Sequence, residues 1–192
     1  GDLRKSKRNG GAYAFIADAY LPTDSMRGEL AESWHWEDPL TLVIKLRKGM
    51  MFPDKPGVMA ARELVADDVV YSYQLVDNSP KRIPSYFDHI KEVVARDEHT
   101  VVFHLHHFNA EWAYRFGYGY YSGISPREMS KVDRKSWKNV TGTGPFQLER
   151  YVQANAQIYR KNQHYWDTTR LNQKEYALPF VDKVVYRIIK DE

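Results

Sequence analysis

The residues from Thr41 to Arg47, followed after a loop by Ala66 to Val76, most restrict what this chain can become. Leu42, Ile44 and Leu46 fall on one side of an extended backbone. Thr41, Lys45 and Arg47 fall on the other, with Val43 as the exception. Side chains alternate across a strand, so this is the pattern of a half-buried strand. Lys48-Gly49 ends it, since glycine relaxes the backbone where the chain must turn. Past the loop, Ala66, Val69, Val70, Tyr73 and Val76 recur at helical spacing and build one apolar helix face. Asp67 and Asp68 sit in its first turn, where carboxylates favour the positive end of the helix dipole. This is a strand-to-helix scaffold and carries no catalytic chemistry of its own.

The rest of the chain extends that pattern. Tyr13–Leu21 is a short apolar segment, strand or helix, and Gly28–Trp34 reads as a compact apolar turn. Met50–Glu63, broken by Pro53, Pro56 and Gly57, reads as an irregular loop. Asn78-Ser79-Pro80 stops the helix. Thr100–His106 is a second strand, with Val101, Phe103 and Leu105 on one face, and pairs as a hairpin with the segment before the polar turn Arg96–His99. Trp112, Ala113 and Phe116 have helical spacing, and Arg127–Trp137 reads as helix and turn. Phe146–Tyr151 and Ala156–Arg160 are strands around Gln153-Ala154-Asn155, and Thr168–Lys174 is polar loop. Val181–Ile189 is apolar on both faces, which predicts a strand covered on each side.

The chain has 192 residues, enough for one good-sized domain or two small ones. Net charge is +3 with the two signs interleaved, and the one dense basic run (Arg4, Lys5, Lys7, Arg8) reads as a solvated tail, against a nucleic-acid partner. With no cysteine, disulfide scaffolds, thiol catalysis and zinc-thiolate sites are excluded. That absence fits a reducing cytoplasm and a bacterial periplasm equally. No apolar run approaches the ~18 residues of a membrane span, and no signal peptide is visible. The opening Gly1-Asp2-Leu3 without an initiating Met suggests a processed product or an excised piece. The 14 Tyr, 8 Phe and 5 Trp fit core packing or an aromatic-lined ligand surface.

His104 and His106 share a strand face, as a pair of metal ligands would, but no Asp or Glu follows at a motif spacing, and surface histidines explain them better. Asp67 and Asp68 are adjacent and do not face each other on a helix. Ser33 and Ser122 lack a G-x-S-x-G elbow. Thr141-Gly142-Thr143-Gly144 lacks the Lys-Ser/Thr ending of a phosphate loop, and Pro145 plus a strand replaces the helix such a loop needs. It reads as a tight turn that still lets a ligand approach backbone closely. Tyr118, Tyr120 and Tyr121 stand between glycines, either packing into a core or lining a ligand cleft.

The order of blocks is more specific than any one of them. Gly-Glu-Leu-Ala-Glu-Ser-Trp from Gly28, then an alternating strand into Leu-Arg-Lys-Gly-Met-Met-Phe, resembles the signature region of the oligopeptide and dipeptide (family 5) type of bacterial extracellular solute-binding proteins. Ala-Asp-Asp-Val-Val-Tyr-Ser-Tyr from Ala66, Val-Val-Phe-His-Leu from Val101, Ile-Ser-Pro from Ile124, Thr-Gly-Thr-Gly-Pro-Phe from Thr141 and Arg-Lys-Asn-Gln-His-Tyr-Trp from Arg160 follow in the same order. Two departures stand out. Val65 occupies the place where the family usually has an N-cap Thr, and the loop 51–63 is longer than the usual turn. The resemblance implies an α/β fold (α+β, mixed sheet), part of the first lobe of a type II periplasmic-binding-protein-like architecture. It divides the chain into a weakly matched segment 1–27, a signature subdomain 28–140, and a partial lobe core 141–192 leading toward a second lobe that lies elsewhere. It implies a periplasmic monomer that binds a peptide or other small solute without a cofactor and hands it to an ABC permease in the inner membrane, by hinge closure around the ligand. Tyr118, Tyr120, Tyr121, Thr143 and Gly144 are the candidate ligand residues. The competing readings are a ligand-sensing domain of a transcription regulator and a metal-dependent hydrolase using His104 and His106.

Overall fold

The computed structural model describes residues 26–117 and 123–189. In chain order the elements are β1 (Ala31–Asp38), β2 (Thr41–Leu46), β3 (Met51–Phe52), β4 (Arg62–Glu63), α1 (Ala66–Asp77), α2 (Pro84–Phe87), β5 (Ile90–Asp97) and β6 (Thr100–Leu105). Then come α3 (Trp112–Gly117), two 3-10 turns at Arg127–Lys131 and Trp137–Asn139, and five strands: β7 (Phe146–Val152), β8 (Ala156–Lys161), β9 (Thr168–Leu171), β10 (Lys174–Ala177) and β11 (Lys183–Arg187). Every strand pair among the described residues is antiparallel. The described chain forms two compact units, residues 26–47 with 73–117 and 123, and residues 48–72 with 124–189.

The first unit is built on a four-stranded sheet in the order β1-β2-β6-β5. The hairpin expected around Arg96–His99 is present, with Val93 opposite Phe103 and Val94 opposite Val102. Trp36, Leu42, Phe103 and Val93 lie in one cross-strand row, and Trp34, Ile44, Val101 and Ala95 in the next row of the same face. On that face Phe103 meets Tyr73 at 5.0 Å and Phe116 at 4.6 Å, and Tyr73 also meets Phe87. Tyr73 is buried, and that burial drives its phenol well above the usual tyrosine range. β2 is not the half-buried strand its alternation predicts. Val43 and its partner Val102 lie on the opposite face, and both are buried. A strand with neighbours on both sides can bury short side chains at its centre on either face, and Val43 is the residue that broke the alternation, while Lys45 on the same face stays exposed.

β1 replaces the compact turn predicted at 28–34. Gly28 passes so close to the strand that a Cβ there would lie 1.9 Å from the Ala31 carbonyl oxygen, a steric reason for glycine in this block. Asp38 turns the chain into β2 by accepting the Leu40 N–H on Oδ1 at 2.7 Å. Trp36 packs edge-on against Trp112 at 5.5 Å and Phe108 at 5.4 Å.

His89 is buried in this unit, and neither ring nitrogen has a hydrogen-bond partner among the described residues. Its ring lies 5.4 Å from Phe116 and 6.4 Å from His107. Burial, with the nearby charges of His107 and Arg115, pulls its pKa below the usual histidine value.

The second unit holds the N-terminal half of α1 through one cluster of charges. Arg62 grips the fully buried Asp68 with two bonds, Nη1 to Oδ2 at 2.8 Å and Nη2 to Oδ1 at 2.7 Å. The same guanidinium donates to Glu128 from Nε at 2.8 Å and from Nη2 at 2.6 Å. Asp68 also accepts the backbone N–H of Val65 at 3.0 Å and of Arg127 at 3.1 Å. A buried carboxylate without such partners would be very costly; here four donors converge on it. The Arg62 bonds hold the Glu128 carboxyl below the usual range. Ser72 completes the tie, donating to the Asp68 carbonyl at 2.7 Å and accepting the Ser125 N–H at 2.9 Å.

The remaining strands form a three-stranded sheet β11-β8-β7 and a separate hairpin β9-β10. β7 and β8 match the two predicted strands. Ala154 in their turn has φ 55°, with the Asn155 N–H closing onto the Val152 carbonyl. The polar loop predicted at 168–174 is instead the β9-β10 hairpin, turned by Asn172 and Gln173, both at positive φ. The loop predicted at 50–63 contains the short β3-β4 pair. β11 is also corrected. It was expected to be covered on both faces, but Val185 and Tyr186 are exposed and β11 pairs on one side alone, because it stands at the sheet edge among the described residues.

Candidate functional site

The Thr141–Pro145 turn leads into β7 and is held from both of its neighbouring strands. Gln147, the second residue of β7, is buried and donates Nε2 to the Gly142 carbonyl at 2.7 Å. Asn162, directly after β8, is 2 % exposed, and its carbonyl accepts the Tyr165 N–H at 3.2 Å. Its Nδ2 donates to the Gly144 carbonyl at 2.9 Å, its N–H donates to the Pro145 carbonyl at 2.9 Å, and its Oδ1 accepts the His164 N–H at 3.0 Å. The two glycine carbonyls therefore face into the fold. Neither glycine is at positive φ, and a Cβ on either would meet nothing within 4 Å. Nothing inside this unit requires glycine at 142 or 144. Thr143 is half-buried and Gly144 exposed.

Next to the turn, Pro145, Phe146, Gln157, Tyr159, Val184 and Tyr186 line a cavity of about 410 Å³. Its walls follow from register: Val184 lies opposite Tyr159 and Tyr186 opposite Gln157, all on one sheet face. Tyr159 donates its hydroxyl to Gln157 Oε1 at 2.9 Å and meets Tyr186 edge-on at 5.7 Å.

Of the residues singled out from sequence, Thr143 and Gly144 fall on this turn. Tyr118, Tyr120 and Tyr121 lie outside the described residues. The ring before them, Phe116, is anchored against Phe103 and His89. His104 lies in the row between Thr41 and Glu92, whereas His106 is past the strand end and exposed. Among the described residues no three His, Cys, Asp or Glu side chains come together as metal ligands. Sequence reasoning missed Gln147 and Asn162. Asn162 lies inside the Arg160–Trp166 block, whose place in the order of blocks was the available signal.

Residues 25–192 match the model of the family described as bacterial extracellular solute-binding proteins, family 5 Middle. The chain belongs to that family. This family 5 chain is 30% identical over 199 aligned residues to the dipeptide-binding protein of Escherichia coli (strain K12), an alignment covering 93% of the chain and 35% of its relative. It is similar in structure to the periplasmic binding protein DppA of Helicobacter pylori in complex with the peptide STSA, with a TM-score of 0.67 at 26% identity over 84% of this chain and 33% of that one. It is also similar to MoaA of A. tumefaciens R10 in complex with mannopinic acid, with a TM-score of 0.70 at 25% identity over 88% and 32%. This family 5 chain thus spans about a third of the length of the curated relatives it matches. Its relatives are periplasmic binding proteins of the type II fold, as the ordered blocks implied.

Proposed function

We propose that this chain is part of the solute-binding component of an ABC importer, which captures a peptide in the periplasm and delivers it to the permease in the inner membrane. Family membership together with 30% identity to a dipeptide-binding protein carries the reading. Residues 28–140 correspond to the signature subdomain of the first lobe and 141–192 to part of that lobe's core. Capture proceeds by closure of two lobes around the solute, with affinity coming from the closed state, and the protein acts as a monomer.

Within this chain the solute meets the turn at Thr143 and Gly144, with Tyr118, Tyr120 and Tyr121 as aromatic ligand residues. Glycines that the fold does not need support this, because bare backbone is what lets another molecule approach closely. The Gly142 and Gly144 carbonyls are committed to Gln147 and Asn162, so the turn meets a solute through its N–H groups and threonine hydroxyls. That suits the carbonyl or carboxylate oxygens of a peptide.

The test is calorimetry on the full-length protein with dipeptides, tripeptides and a sugar–amino acid conjugate. Peptide binding is the expected result, and binding of the conjugate alone would replace peptide as the solute. Gly144→Val should leave the melting temperature unchanged, since its Cβ meets open space, yet weaken peptide binding at least tenfold. An unchanged affinity removes the turn from the site.

A further inference from the structure

The geometry points to α3 as a latch that acid opens, because a proton on the buried His89 ring is accommodated only when α3 moves aside and lets the ring reach water. His89 is 1 % exposed, and both of its ring nitrogens are without a hydrogen-bond partner among the described residues. A buried polar group without a partner is costly, and a buried unpaired charge far more so. The ring is therefore at home in this place only while it is neutral.

The groups around it give a proton no counter-ion. From the loop after β6, the His107 ring stands 6.4 Å away. From α3 comes Arg115, whose Nε is itself buried without a partner. Its Nη2 donates to Glu111 at 2.7 Å, and its guanidinium lies 4.3 Å over the Tyr86 ring. Among the described residues the one acid that acts on His89 is Asp88, and Asp88 pairs with Arg82 at 3.2 Å. His107 and Arg115 add to the burial in opposing a proton on the ring.

The sheet side of His89 is fixed. Its carbonyl accepts the His106 N–H at 2.8 Å, and Ile90 beside it pairs with Leu105. The opposite side is Phe116 of α3, whose ring lies 5.4 Å from His89. α3 has six residues, none of them fully buried. A helix this short is marginal on its own in water. It is held by Trp112 against Trp34 and Trp36, and by Phe116 against Phe103 and Tyr73. Segments with few buried contacts are the ones that open without global unfolding, so a charged His89 finds relief through α3 while the sheet stays formed. The closed form binds the proton more weakly than the open one, so opening is favoured as pH falls below the free histidine value of about 6.5. Between pH 7.5 and 5.5 the open population should rise about tenfold by this linkage. The inference is independent of which solute is bound.

Hydrogen exchange on the full-length protein tests it, with rates corrected for the intrinsic pH dependence of amide exchange. The Arg115 amide, which donates to the Glu111 carbonyl at 2.9 Å, should lose about tenfold in protection from pH 7.5 to 5.5. It should exchange faster than the amide of Val102, in a strand paired on both sides, and stay insensitive to low urea, since local opening exposes little surface. Arg115 exchanging no faster than Val102 overturns the latch, and so does protection that does not change with pH. His89→Gln, which cannot take a proton, and His89→Phe, which keeps the ring volume, should each abolish the pH dependence at Arg115. An undiminished pH dependence in either folded variant overturns the assignment to His89.

Discussion

The carboxylate of Asp68 takes the backbone N–H of Val65 at 3.0 Å and closes the first turn of α1 from within. In a capping box the N-cap side chain and the third helical residue serve each other's N–H groups. Here Asp68 performs its half while Val65, having no hydroxyl, cannot perform the other. The Asp68 N–H rests on the Val65 carbonyl at 2.9 Å, and Val65→Thr should add a side-chain acceptor beside it at nearly the same volume and raise stability by about 0.5–1 kcal/mol. The urea midpoint should rise at an unchanged m-value. A lower midpoint would show that the apolar contact of Val65 outweighs the cap.

Arg62 neutralises a carboxylate that has no access to solvent. Arg62→Met should therefore cost about 3–5 kcal/mol, the scale for stranding one partner of a buried pair. Adding Asp68→Asn removes the stranded charge, so the double variant should be more stable than Arg62→Met alone. Urea unfolding of the two singles and the double measures this coupling, and simple additivity would show that the two side chains act independently.

Acid should act on the two units in separate pH windows. The pKa of His89 is lowered by burial, so the unfolded chain binds its proton more readily than the folded one. Its contribution is complete above the unfolded histidine value of about 6.5 and is lost as pH falls below it. The Glu128 carboxyl is also lowered, by Arg62, so its contribution holds above the unfolded glutamate value of about 4.3 and disappears on further acidification. Thermal melts from pH 7.5 to 5 should show a decline that His89→Phe flattens. A decline of equal slope in that variant would place the sensitivity elsewhere.

Asn162 fixes the Gly144 turn through a donor that aspartate lacks. Asn162→Asp should cost about 1–3 kcal/mol, the penalty for a buried hydrogen bond lost, read as a fall in the urea midpoint. Unchanged stability would mean that the turn holds its shape without this strap.

Sequence revealed those elements whose side chains sort between core and solvent. The Val101–Phe103–Leu105 alternation and the α1 face were legible because each has one buried side. Val43 was harder to read, since burial on both faces erases the alternation that a strand is recognised by. The β9-β10 hairpin was missed for the opposite reason: residues 170–177 are all exposed, so no apolar period marks them. At the candidate site the turn itself was visible from Thr141-Gly-Thr-Gly-Pro. The amides that hold it were not, because Gln147 and Asn162 look like any surface polar residue until the strands bring them to the glycine carbonyls. The charge cluster around Arg62 was equally hidden, since its members are up to 66 positions apart in sequence.

The β9-β10 hairpin has a practical use. Its turn at Asn172-Gln173 already holds the backbone conformations a two-residue hairpin requires, and its side chains from 170 to 177 contribute nothing to a core. Exposed tips of this kind tolerate insertion. An epitope or a fluorophore attached there reports from a tip that the described residues leave in solvent.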